Sequence, residues 1–70
     1  MKLGNESDVV RALQHYLIYE GSLANQHNSG YFGPNTKAAV MAFQKKYGIS
    51  PVSGYVGYKT RHKMRQLAGL

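Results

Sequence analysis

The stretch SGYFGPNT at residues 29–36 returns as SGYVGYKT at residues 53–60, 24 positions later. A chain this short supports a single core, because it buries only roughly 60% of its unfolded surface on folding, so the two copies must serve one fold. Extended toward the C-terminus, SGYFGPNTKAAVMAF and SGYVGYKTRHKMRQL agree at Ser, Gly, Tyr, Gly and Thr, and they set apolar against apolar at Phe32/Val56, Val40/Met64 and Phe43/Leu67. The repeated unit is thus a loop plus a helix. Gly30 and Gly54 suit the positive φ of a tight turn, and Gly33 and Gly57 admit the backbone to a helix with no Cβ in the way. Phe32 and Val56 are expected to point inward as plugs. Thr36 and Thr60, at the third helical position, are expected to hydrogen-bond back to their loops. Tyr31 and Tyr55, on the other side of an extended dipeptide, are expected to face out.

The rest of the chain reads as helix and connection. NESDVVRALQHYLIYE is predicted to be a helix beginning at Asn5, with Asn5 as cap, Glu6 and Asp8 at the positive end of the dipole, and an apolar face of Val10, Leu13 and Leu17 flanked by Val9 and Tyr16. GSLANQHNSG is polar and reads as loop. Pro34 suits a first helical turn, and the second helix carries Ala39, Val40, Phe43 and Tyr47 on one face before Gly48 stops it. ISPVSG is a short extended connection. A third helix is predicted from near Tyr58 to Gly69, with Met64 and Leu67 inward. The expected fold is all-α: one compact domain over residues 1–70, of three helices containing two related Gly-rich loop-plus-helix units.

No cysteine is present, so no disulfide or thiolate metal site holds the domain together, and stability must come from packing the 43% apolar residues. MKLGNESDVVR turns polar at once, which leaves no apolar run for a signal peptide or membrane span within residues 1–70. If the protein works outside the cell, its export signal lies elsewhere or has been removed. Nine Lys and Arg against three Asp and Glu give a formal charge of +6, which attracts an anionic partner such as nucleic acid, acidic lipid or an anionic cell wall. The basic residues concentrate in KTRHKMR at 59–65 and QKK at 44–46, and all three acids lie in the first 20 residues.

Catalytic and metal chemistry find no support in the sequence. His15, His27 and His62 form no i, i+4 pair and have no carboxylate at ligand spacing. Glu6 and Asp8 do not face one another on a helix, Glu20 stands alone, and no Ser has an identifiable base. No catalytic residue, metal site or cofactor is therefore expected.

LGNESDVVRALQHYL, then GYFGPNTKAAVMAFQKKYGI, then GYVGYKT resembles, in that order, the type 1 peptidoglycan-binding domain, a three-helix module appended to bacterial and phage cell-wall hydrolases and transpeptidases. The resemblance runs from about Leu3 to Leu67. It rests on the Leu13-Gln14 pair, the Gly-x-Phe-Gly-Pro-x-Thr loop from Gly30 to Thr36, Ala-Val-x-x-Phe-Gln from Ala39 to Gln44, and the second Gly-x-Val-Gly loop from Gly54 to Gly57. The chain departs from the family pattern at Ser29 and Ser53, where Asp usually precedes the loop glycine, at Arg61, where an aromatic often follows the Thr, and at Tyr58, where Pro or Lys is common. The inhibitory propeptide of matrix metalloproteases has a similar pattern but acts through a cysteine, which this chain lacks.

The resemblance implies a non-catalytic wall-binding module, and a chain this soluble and charged is most simply a monomer. Its partners would be peptidoglycan, through the glycan strand, the stem peptide or both, and a linked hydrolase or transpeptidase. It would act outside the cell or in the wall, with the periplasm as an alternative, and would have no membrane partner. From the residues themselves, Tyr31, Tyr55 and Tyr58 offer flat apolar faces with polar tips that suit a sugar ring. Asn35, Ser53, Lys59 and Arg61 would supply hydrogen bonds and a carboxylate clamp around one shallow groove. Against this, each tyrosine could simply lie flat over small residues. Gln14 and Gln44 are expected to tie helices to the Gly loops, and Tyr16, Tyr19 and Tyr47 to pack at helix edges. Two other functions fit the same composition: a basic three-helix nucleic-acid-binding domain and a protein-interaction scaffold.

Overall fold

In a computed structural model that describes residues 1–68, the chain forms α1 (Asp8–Glu20), a 3-10 turn at Asn25–His27, α2 (Pro34–Lys46) and α3 (Tyr58–Ala68). Helix α1 starts two residues later than its acidic run suggests. Ser7, not Asn5, caps it, with Ser7 Oγ accepting from the Val10 N–H at 3.2 Å. Asn5 Oδ1 instead accepts from the Lys2 N–H at 2.9 Å, which folds the preceding segment into a turn. Glu6 bridges to Tyr31 outside the helix, and Asp8 remains in the first turn. At the other end Gly21, in the left-handed conformation, closes the helix with its N–H on the Ile18 carbonyl.

That closure turns the chain back on itself, so Leu23 enters the core at 7% exposure although its neighbours are polar. With Leu23, the core comprises Val10, Leu13 and Leu17 from α1, Phe32 and Val56 from the two loops, and Ala39, Val40 and Phe43 from α2. Both plugs are fully buried, Phe32 at 0% and Val56 at 1%. Phe43 is flanked by Tyr16, edge-on at 6.1 Å, and by Tyr47 at 4.8 Å.

Helix α3 departs from the predicted pattern. Met64 packs against the core only in part, and Leu67 is 44% exposed rather than inward. The helix contributes no fully buried apolar side chain among the described residues; its buried residue is Thr60. The predicted end at Gly69 lies outside the described residues. Tyr19, expected to pack at a helix edge, is 86% exposed, whereas Tyr16 and Tyr47 are half-buried.

The N-terminal segment runs across both plugs. The Gly4 N–H donates to the Phe32 carbonyl (2.8 Å) and the Phe32 N–H to the Asn5 carbonyl (2.7 Å). The Val56 N–H donates to the Met1 carbonyl (2.7 Å), and the Met1 amine returns a bond to the Val56 carbonyl (3.0 Å). Both loops are thus held on one side by this segment and on the other by the helices, which fixes what they present outward.

Candidate functional site: the paired glycine-tyrosine loops

Each loop is locked by a glutamine from the helix that precedes it. Gln14 Oε1 accepts from the Gly30 N–H at 2.7 Å, and its Nε2 donates to the Tyr31 carbonyl at 2.8 Å and to Thr36 Oγ1 at 3.0 Å. Gln44 repeats the set on the second loop, with Gly54 at 3.0 Å, Tyr55 at 2.9 Å and Thr60 at 3.1 Å. Both glutamines are essentially fully buried, and each primary amide uses its oxygen and nitrogen to meet three polar groups of its loop and helix start. Thr36 and Thr60 therefore accept from a glutamine side chain and do not bond back to their loops. Gln14 lies 16 residues before its glycine and Gln44 only 10 before its own. The longer first connection holds the Asn25–His27 turn.

The lock requires the loop glycines to take φ of +85° at Gly30 and +79° at Gly54. At Gly54 a Cβ would also come within 2.6 Å of Lys37 Cγ, so both backbone and space exclude a side chain there. Gly33 and Gly57 stand at the helix entries, as the sequence suggests: Gly33 is the N-cap of α2 and Gly57 precedes α3, their carbonyls accepting from the Lys37 and Arg61 N–H groups at 3.0 Å each. A Cβ on Gly33 would lie 3.2 Å from the Tyr31 ring, and one on Gly57 2.9 Å from the Tyr55 ring. Each tyrosine thus lies against the glycine two residues on, with one side of the ring on the backbone and the residue 46% and 53% exposed, respectively. Ser29 and Ser53 complete the turns, their Oγ atoms accepting from the Tyr31 and Tyr55 N–H groups at 3.3 and 3.2 Å.

The residues expected to share one groove are divided between two cavities. Ser53, Tyr55, Tyr58 and Lys59 line a cavity of about 320 Å³ with Ile49, Ser50, Pro51 and Thr60. Tyr31 and Asn35 line another of about 200 Å³ with Gln26, His27, Ser29 and Pro34. Arg61 lines neither; its Nε donates to the Gly57 carbonyl at 3.4 Å. Lys59 Nζ donates to the Ser50 carbonyl at 3.4 Å, which places the ammonium on the rim of the larger cavity. Tyr58, 73% exposed, stacks one face on His62 at 5.7 Å.

Ile49 and Pro51 give the larger cavity its apolar wall. The sequence holds a signal for them, a β-branched residue and a proline facing an aromatic pair, although by local pattern the segment is only a connection. His27, unsupported as a metal ligand, lines the smaller cavity instead. Among the described residues no group of three or more His, Asp or Glu is placed to hold a metal ion, and no helix is long and apolar enough to cross a membrane. The α2–α3 connection spans residues 47–57, far longer than the ~3–4 residues of a helix-turn-helix.

Residues 6–64 match the family described as "Putative peptidoglycan binding domain", and this chain belongs to that family. It is also 42% identical over 65 residues to the zinc D-Ala-D-Ala carboxypeptidase of Streptomyces albus G. That match covers 91% of this chain and only 25% of the carboxypeptidase, so the chain spans about a quarter of its relative's length. No solved structure matches.

Proposed function

We propose that the domain is a non-catalytic module that binds peptidoglycan through the paired-loop face and holds a linked wall-active enzyme near its substrate. Membership of the family supports the ligand class, and the quarter-length match to a carboxypeptidase supports a modular role. The observation that carries the binding mode is the fixing of Tyr31 and Tyr55 over glycine. A ring already held against the backbone loses little freedom when a sugar or peptide covers its outer face.

Ser53, Tyr55, Tyr58 and Lys59 form the principal contact surface, with Tyr31 and Asn35 as a lesser one and Arg61 adding positive charge nearby. Binding by one such shallow surface is weak, and its effect comes from raising the effective concentration of an attached hydrolase or transpeptidase at the wall. The module acts as a monomer, outside the cell, in the wall or in the periplasm.

Co-sedimentation with insoluble peptidoglycan freed of teichoic acid tests this reading. Retention is expected to persist at ~0.15 M salt, where the screening length is about 8 Å. Loss of retention there, or tighter salt-dependent binding to random duplex DNA, refutes it.

A further inference from the structure

The two cavities share a scaffold but not a chemistry. In each, a glutamine lock and a serine turn hold a tyrosine over a glycine. Around the first, Gln26, Ser29 and Asn35 supply amide and hydroxyl donors and acceptors beside the His27 ring, and no Lys, Arg, Asp or Glu lines the cavity. Around the second, Ile49, Pro51 and two tyrosines form apolar walls, and Lys59 brings an ammonium to the rim.

Resting on the peptidoglycan-binding reading above, we infer that the repeats are two separate sites that read different parts of one polymer. The first takes a neutral N-acetylated sugar, and the second takes the carboxylate end of a stem peptide. A sugar presents one C–H face to an aromatic ring and a rim of hydroxyl and amide groups, which the Tyr31 face and the amides of Gln26 and Asn35 match. An anionic peptide end would meet no Lys or Arg in that cavity. At the second site Lys59 meets the carboxylate, and Ile49, Pro51 and Tyr55 cover small aliphatic side chains. The cavity sizes agree with this division. The first, at about 200 Å³, falls below the roughly 300–1,000 Å³ of drug-sized sites and suits a single ring, whereas the second reaches that range. Simultaneous occupation would make the domain bivalent by itself, so its avidity for the intact wall would exceed its affinity for either fragment.

Amide chemical-shift titration of the 70-residue chain with two probes tests the division: tri-N-acetylchitotriose, which has no peptide, and diacetyl-L-Lys-D-Ala-D-Ala, which has no sugar. The trisaccharide is expected to shift amides within 26–36 and the peptide amides within 49–60. Tyr31→Ala should weaken the trisaccharide about tenfold and change the peptide less than about twofold, and Lys59→Gln should weaken the peptide about fivefold with the trisaccharide unaffected. Asn35→Ala, on an exposed residue of the first turn of α2, provides a second perturbation of the first site should Tyr31→Ala unfold. Both probes shifting one common set of residues, or either variant weakening both probes alike, overturns the inference. So does the absence of any shift while peptidoglycan still sediments the domain. Loss of that sedimentation itself would defeat the underlying function as well, and so the two failures are told apart.

Discussion

Gln14 and Gln44 fix the two loops on their helices, because each buried amide bonds three polar partners at once. Gln14→Leu would keep the volume but strand the Gly30 N–H and the Thr36 hydroxyl, and leave the Tyr31 carbonyl with the Gly33 N–H as its one remaining partner. The expected loss is about 2–4 kcal/mol, read from denaturant unfolding. A titrating pair lies further along the same core. The Tyr47 hydroxyl donates to Glu20 Oε1 at 2.8 Å, and that bond, followed by burial, raises the phenol above its ordinary value. The Tyr16 phenol is raised as well, chiefly by burial. A phenol raised in the folded state stabilises fully below the unfolded value near 10 and loses that contribution as pH climbs through the folded value. Unfolding midpoints measured from about pH 9 to about 11 should therefore fall with rising pH, and less steeply in Tyr47→Phe, where only the Tyr16 contribution remains.

At the level of elements, α1 and α2 form the core with the two plugs, and α3 is docked on it through Thr60 and Met64. Phe43→Ala is expected to cost about 3–5 kcal/mol, because it empties the centre of the apolar cluster. Leu67→Ala should stay within about 0.5 kcal/mol, although the repeat pairs these two positions; equal losses in thermal or denaturant unfolding would contradict the placement of α3. Helical spacing makes α1 and α2 legible in the sequence, and the duplicated loop makes Phe32 and Val56 legible as plugs. Leu67 is misplaced by sequence reasoning because the repeat equates α3 with α2, yet Leu67 is 44% exposed where its counterpart Phe43 is fully buried. Leu23 escapes it because its burial depends on the left-handed turn at Gly21, which no periodicity records. Ser7 is hidden as cap because several candidate caps stand close together, and pairing of the preceding segment with Phe32 selects among them.

Taken whole, the molecule spans 26 × 23 × 18 Å, and its outward rings are positioned by inward polar bonds. The outward direction of Tyr31 and Tyr55 is legible in the sequence, since it needs only the alternation of an extended dipeptide. Their division between two cavities is not, because it depends on the first connection's extra residues and on Ile49 and Pro51 walling the second loop. Arg61 cannot be separated from Lys59 by sequence position alone; its place on the helix turns it away to the Gly57 carbonyl. Peptidoglycan binding through the loop face is tested most directly by comparing the unmodified domain with Tyr55→Ala/Tyr58→Ala and with Tyr19→Ala, a tyrosine more exposed than either of the other two but on α1. In sedimentation with stripped peptidoglycan, the double variant is expected to lose at least about tenfold in affinity and Tyr19→Ala to match the unmodified chain. Equal retention of all three, or a loss in Tyr19→Ala alone, would contradict it.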